Sequence, residues 1–78
     1  MMIKELETIV LTEDIAEHGL KQGDIGTVVL LHGDAGYEVE FVSLSGETLA
    51  VTSLARHQVR PLGPREIAQA RAVKTAAK

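Results

Sequence analysis

The chain has no cysteine and no tryptophan in its 78 residues. Without thiols there is no disulfide framework, no thiolate nucleophile and no cysteine-rich zinc site. That lack fits a reducing compartment. Aromatic side chains are nearly as scarce, with Tyr37 and Phe41 the whole supply. A core built around one Phe, with Val, Leu, Ile and Ala supplying most of the 45% hydrophobic content, is small. It implies modest stability, a tightly closed sheet, or help from association. No run approaches the roughly 18 consecutive apolar residues of a membrane-crossing helix. The opening "MMIKELETIV" lacks the apolar centre of a signal peptide. The expectation is one cytoplasmic domain near the lower size limit for independent folding.

Charge is present but uneven. Residues 1–54 carry two lysines against ten acidic residues, a formal charge of −8. Residues 55–78 carry six basic residues and Glu66, a formal charge of +5. An acidic body with a basic end can mark a nucleic-acid tail or a partner of opposite charge. It can also be an ordinary solvated surface that keeps a small protein soluble.

Short apolar runs separated by glycines fill the body. "ETIVLTED" (residues 7–14) reads as a first strand, with Ile9 and Leu11 on one face and Val10 and Thr12 on the other. "IAEHGLKQGDIG" is a loop, because Gly19, Gly23 and Gly26 break any helical pattern, and its "QGD" favours a tight turn. "IGTVVLLH" (residues 25–32) is a second strand. The short loop "GDAG" joins it antiparallel to "YEVEFV" (residues 37–42). There Tyr37, Val39 and Phe41 alternate strictly with Glu38 and Glu40, which predicts one buried and one wet face. "SLSGE" turns the chain into a fourth strand, "TLAVTSL" (residues 48–54). "ARHQ" is read as a single 3₁₀ turn. "VRPL" (residues 59–62) is a short last strand, confined to an edge by Pro61.

The end changes character. In "GPREIAQARAVKTAAK", Pro64 suits a first helical position and Glu66 a first turn. The pattern predicts a helix over residues 64–73 with a thin apolar face of Ile67, Ala70, Val73 and Ala77. Ile67 is the expected anchor, with fraying afterwards. Five short strands and a terminal helix predict a mainly β fold, a small antiparallel barrel over residues 1–63 followed by a helix and tail over 64–78. The expected core is Ile9, Leu11, Leu20, Val28 or Val29, Leu30 or Leu31, Val39, Phe41, Leu49, Val51, Leu54, Val59 and Leu62. Both faces of the second strand are apolar, so its inward phase stays open. A helix or a second subunit covering both sides would explain that.

"GLKQGDIGTVV" followed by "YEVEF" resembles the KOW-type start of an SH3-like barrel. Gly23, Asp24, Gly26, Val28 and the run from Val39 to Phe41 carry the likeness. Over residues 3–71 the chain resembles a bacterial family known only as a domain of unknown function, number 4926. The resemblance implies an SH3-like β-barrel and no established activity.

Candidate chemistry is thin. Ser43, Ser45 and Ser53 and three histidines have no nucleophile–base spacing. His18, His32 and His57 do not share the i, i+2 or i, i+4 spacing that aims two imidazoles at one ion. "GDIG" lacks the GK[ST] ending of a phosphate loop and opens no helix. No cofactor, metal or catalytic group is expected. A nucleic-acid role, which KOW-type barrels often have, is opposed by the acidic body and by Tyr37 being the lone stacking candidate. Only Arg56, His57, Arg60, Arg65 and Arg71 could form a basic patch. The leading expectation is a protein-binding module, with Glu13, Asp14, Glu17, Glu38 and Glu40 as the acidic part of its surface and those five residues as the basic part. An antitoxin-like or immunity-like role is one version, and an accessory subunit another. Docking of the basic end on a second copy's acidic body would give a homo-oligomer.

Overall fold

The computed structural model describes residues 3–73. Five strands form one antiparallel sheet: β1 (Thr8–Leu11), β2 (Ile25–Leu31), β3 (Tyr37–Val42), β4 (Thr48–Leu54) and β5 (Val59–Pro61). Their order is β4-β3-β2-β1-β5. β4 and β5 do not pair, so the expected barrel is not closed. Single 3₁₀ turns occupy Ala16–His18, Gly33–Ala35 and Arg56–Gln58. The predicted bounds of β3 and β4 hold, and the residues read as "ARHQ" do form a 3₁₀ turn.

The register assigns the faces. Ile9 lies opposite Gly26, and Val28 opposite Val39. Phe41 lies opposite Ala50, and Tyr37 opposite Leu54. Residues directly opposed in an antiparallel pair share a face, so these residues line the concave side. Ile9, Val28, Val39, Phe41 and Leu11 are fully buried there. Ile3, Ile15, Leu20, Tyr37, Leu54 and Val59 complete the core.

Register explains where the expected core fails, with a bulge in β2 and another in β4. Val29 is the extra residue between the Val28↔Val39 and Leu30↔Glu38 pairs. The bulge shifts the phase of β2, so Val28 points in, Leu30 shares the outer face with Glu38, and Leu31 turns back toward Tyr37 at the end of the sheet. Leu30 and Leu31 are both exposed. In β4 the shift falls at Leu49, between Phe41↔Ala50 and Val42↔Thr48. Val51 then lies opposite Glu40 on the outer face and is exposed, against expectation. Leu49 is only half-buried, and Leu62 is exposed beyond β5.

The strand covered on both sides is β1 rather than β2. Val10 is buried although it points away from the core, in the outer-face row Arg60–Val10–Ile25. The chain after β5 returns across this row. That return segment is not the expected helix: residues 64–73 contain no helical turn. Isolated helices shorter than about 12–15 residues need an apolar face to bury. Ile67, the expected anchor, is 89% exposed. The expected placement of Ala77, and the fraying beyond residue 73, lie outside the described residues.

Candidate functional site

The segment after β5 is fastened by two ion pairs. Arg60 donates two hydrogen bonds to Glu66, Nη1 to Oε1 at 3.0 Å and Nη2 to Oε2 at 2.6 Å. The Gly63 amide donates to the same carboxylate at 2.6 Å. These bonds, led by Arg60, pull the Glu66 carboxyl down to about 2. Five residues on, Arg71 grips the "GDIG" turn. Its Nε donates to Asp24 Oδ1 at 2.8 Å and its Nη2 to Asp24 Oδ2 at 2.5 Å. Nη2 also reaches the Gly19 carbonyl at 3.2 Å. Partial burial pushes the Asp24 carboxyl up, but Arg71 and the Lys21 amide more than offset this, and the net shift is downward. The opposite charges of body and end thus meet within one molecule.

The strap so formed separates two concavities. One, of about 460 Å³, lies over Val10, Ile25, Arg60 and Leu62. The other, of about 740 Å³, lies between the strap and the β3–β4 turn. Leu20, Ile25, Phe41, Val42, Leu44 and Leu49 line it, and the Asp24–Arg71 pair stands at its edge. Leu44 at the turn is 99% exposed. A mostly apolar groove with one fixed ion pair, and with Glu47 and two serines at its β3–β4 end, has the chemistry of a site for a peptide or protein surface.

The expected surface residues fall into separate groups. Glu13 accepts from Gln58 Nε2 at 3.0 Å, tying the first loop to the turn before β5. Asp14 accepts the Gln22 amide at 2.8 Å and closes that loop. Glu17 lies beside His18, at 3.4 Å. Arg56 stands 3.5 Å from Asp34, and the His57 carbonyl accepts the Thr12 hydroxyl at 2.6 Å. Arg65 has no carboxylate within 4 Å among the described residues. Arg56, Arg60 and Arg71 each face a carboxylate instead of forming one open basic patch.

Glu38 and Glu40 do share the outer face of the sheet. Glu40 accepts from Thr48 Oγ1 at 2.7 Å. Glu38 Oε1 accepts from Ser53 Oγ at 2.6 Å and lies 3.0 Å from His32 Nε2. The Ser53 and then the His32 hydrogen bond hold this carboxyl below its ordinary range. Ser, His and Glu meet here, but not as a proton relay. Both partners converge on one carboxylate oxygen, so the imidazole is not aimed at the hydroxyl it would have to deprotonate. Among the described residues, no three His, Asp or Glu side chains gather to hold a metal ion. No described helix is long and apolar enough to cross a membrane.

The residues behind the sequence resemblance have structural roles. Gly23 adopts φ +95° and its amide bonds the Leu11 carbonyl, which extends the β1–β2 ladder. Asp24 accepts the Lys21 amide at 2.8 Å as well as Arg71. Gly26, expected both to serve the turn and to begin the second strand, lies inside β2. A Cβ there would come within 2.7 Å of both Phe41 Cε2 and Val39 Cγ1. The strap and its groove were missed from sequence because Asp24 and Arg71 are 47 residues apart and no local pattern joins them. No curated protein and no solved structure gives a match. The family model described as Domain of unknown function (DUF4926) matches residues 5–61, from the approach to β1 through the end of β5, and the chain belongs to that family.

Proposed function

We propose that this chain is a non-catalytic protein-binding module with SH3-like architecture, working in the cytoplasm as an antitoxin-like or immunity-like factor or as an accessory subunit. The aliphatic groove between the strap and the β3–β4 turn carries this reading, with Leu44 fully exposed at its rim. Exposed apolar side chains around a concavity mark interaction sites. The strand order, with a 3₁₀ turn leading into an edge strand β5, supports the SH3-like reading. Arginines paired with carboxylates favour a protein partner over the nucleic-acid alternative, since a paired guanidinium has less to offer a phosphate.

The test is affinity capture from extracts of the native host with the full chain, read by mass spectrometry and repeated with Leu44→Glu. Leu44 supports no core contact, so the variant folds. The expected result is a protein retained by the parent chain and lost with the variant. Recovery of nucleic acid without protein, or a partner indifferent to Leu44→Glu, refutes the proposal. A mobility-shift assay at about 50 mM salt, where phosphate-driven binding is strongest, is expected to show no RNA complex.

A further inference from the structure

The two edges of the sheet are built differently. β5 is three residues long, carries Arg60, and ends in Pro61, which has no amide hydrogen to offer. Short length, charge and proline are the standard means of closing an edge. β4 has none of these, and its one irregularity, the bulge at Leu49, lies near its start and leaves Ala50 to Leu54 in unbroken register. Its seven residues, "TLAVTSL", include no charge, no proline and no glycine. Among the described residues no strand pairs with its outer side. Beside this open edge the outer face exposes Val51 and, two strands in, Leu30, which are 49% and 48% accessible.

We infer that the β4 edge is a self-association surface, and that a second copy of the chain occupies it by antiparallel β4–β4 pairing centred near Val51. Three observations select a second copy. First, β4 carries no charge along its whole length, whereas the opposite edge strand β5 carries Arg60. The uncharged β4 edge is best matched by another uncharged strand, and β4 is one. Second, antiparallel pairing of a strand with itself is isologous, so it uses up both open edges and stops at a dimer. β5 cannot extend the sheet from the other end. Third, the acidic outer face tolerates the arrangement. Glu40 on β3, opposite Val51, would face its copy across three inter-strand spacings, about 14 Å, and Glu38 would lie farther still from its own copy. That exceeds the screening length of about 8 Å at physiological ionic strength. Val51 would meet its copy across the axis, an aliphatic cross-strand pair of the stabilising kind. This inference is independent of the groove and needs no foreign partner.

The absence of cysteine gives a direct test. Light scattering on the full chain should give twice the 8.4 kDa mass of one chain, falling to a single mass on dilution. Val51→Cys, the sole thiol in its variant, should cross-link to itself under mild oxidation, because opposed Cβ atoms lie about 4.5–5.5 Å apart. Glu17→Cys, on the distant loop, should not. Val51→Lys places like charges opposite each other and should return the chain to a single mass with an unchanged far-UV spectrum. Val51 is half exposed, so the fold survives that change. A single-chain mass at every concentration overturns the inference, including the case where another protein's strand fills the edge. A double mass that persists in Val51→Lys, or that Glu17→Cys captures as readily, overturns it by locating the interface elsewhere.

Discussion

Replacing Gly26 with alanine tests the packing at the centre of the fold. The backbone of Gly26 is not left-handed, so alanine meets no conformational barrier. Indeed, removing a glycine from a strand normally stabilises by about 0.4–1 kcal/mol through the unfolded chain. Here the new Cβ would lie 2.7 Å from Val39 Cγ1 and from Phe41 Cε2, and 2.9 Å from Phe41 Cδ2. Ordinary contact begins near 3.4 Å. Two side chains must therefore retreat by more than half an ångström each. Phe41 is 2% exposed and Val39 is 0% exposed, so neither has free space behind it. Overpacking of this kind costs about 1–3 kcal/mol. The net loss expected for Gly26→Ala is about 1–2 kcal/mol, a fall in Tm of about 4–16 °C for a domain this size. Urea unfolding followed by the fluorescence of Tyr37 and by far-UV dichroism would measure it. A shifted midpoint with an unchanged slope marks a true stability change. Phe41→Leu in the same background should recover part of the loss, because residues in direct contact couple. A Gly26→Ala chain as stable as the parent, or more stable, would refute the claim that Gly26 makes room for the ring.

Three further outcomes follow from the geometry. Gly36→Ala should abolish folding: its φ of +132° is one that side chains rarely adopt, and a Cβ would collide with the Leu54 carbonyl oxygen, so a soluble, folded variant contradicts the structure. Arg71→Ala should release the strap while leaving the sheet intact, seen as faster proteolysis and amide exchange over residues 67–73 with an almost unmoved urea midpoint; about 1 M salt, with a screening length near 3 Å, should weaken the same clamp in the parent. Glu66 has a depressed carboxyl pKa of about 2, so its contribution is complete above the unfolded value near 4.3 and is lost as pH falls toward 2; an NMR titration should find that midpoint, Arg60→Ala should raise it, and a parent midpoint near 4.3 would show that the Arg60–Glu66 pair does not form in solution.

The alternation of Tyr37, Val39 and Phe41 with Glu38 and Glu40 was legible because β3 has one buried and one wet face. Its neighbours were less so. A bulge adds one residue to a strand of period two and inverts every face beyond it. Nothing in "TVVLL" marks Val29 as that residue, since every candidate is aliphatic. In "TLAVTSL" the unbroken register from Leu54 to Ala50 turns Val51 outward and leaves Ala50 facing Phe41, so Val51 and Leu54 could not both point inward. The acidic and basic surface residues could be named one by one, but not their pairing. Arg71 and Asp24 are neighbours only because β1 and β2 bring the "GDIG" turn beneath the returning chain.

The strap shows why a helix-forming composition did not become a helix. Residues 64–73 include three alanines and suitable first-turn residues, yet helix formation begins with an unfavourable nucleus. A helix here would have to bury Ile67, Ala70 and Val73 against the sheet to offset that cost. The nearest apolar surface, the row through Val10 and Ile25, is narrow. At either end an arginine–carboxylate pair fixes the chain to the sheet, first at Glu66 and then at Arg71. With only five residues from one anchor to the next, a non-helical path satisfies both pairs and leaves Ile67 in solvent. The tail's path is therefore set by its pairing with Arg60 and Asp24, and the groove exists because the strap passes beside the β3–β4 turn without filling the space between them.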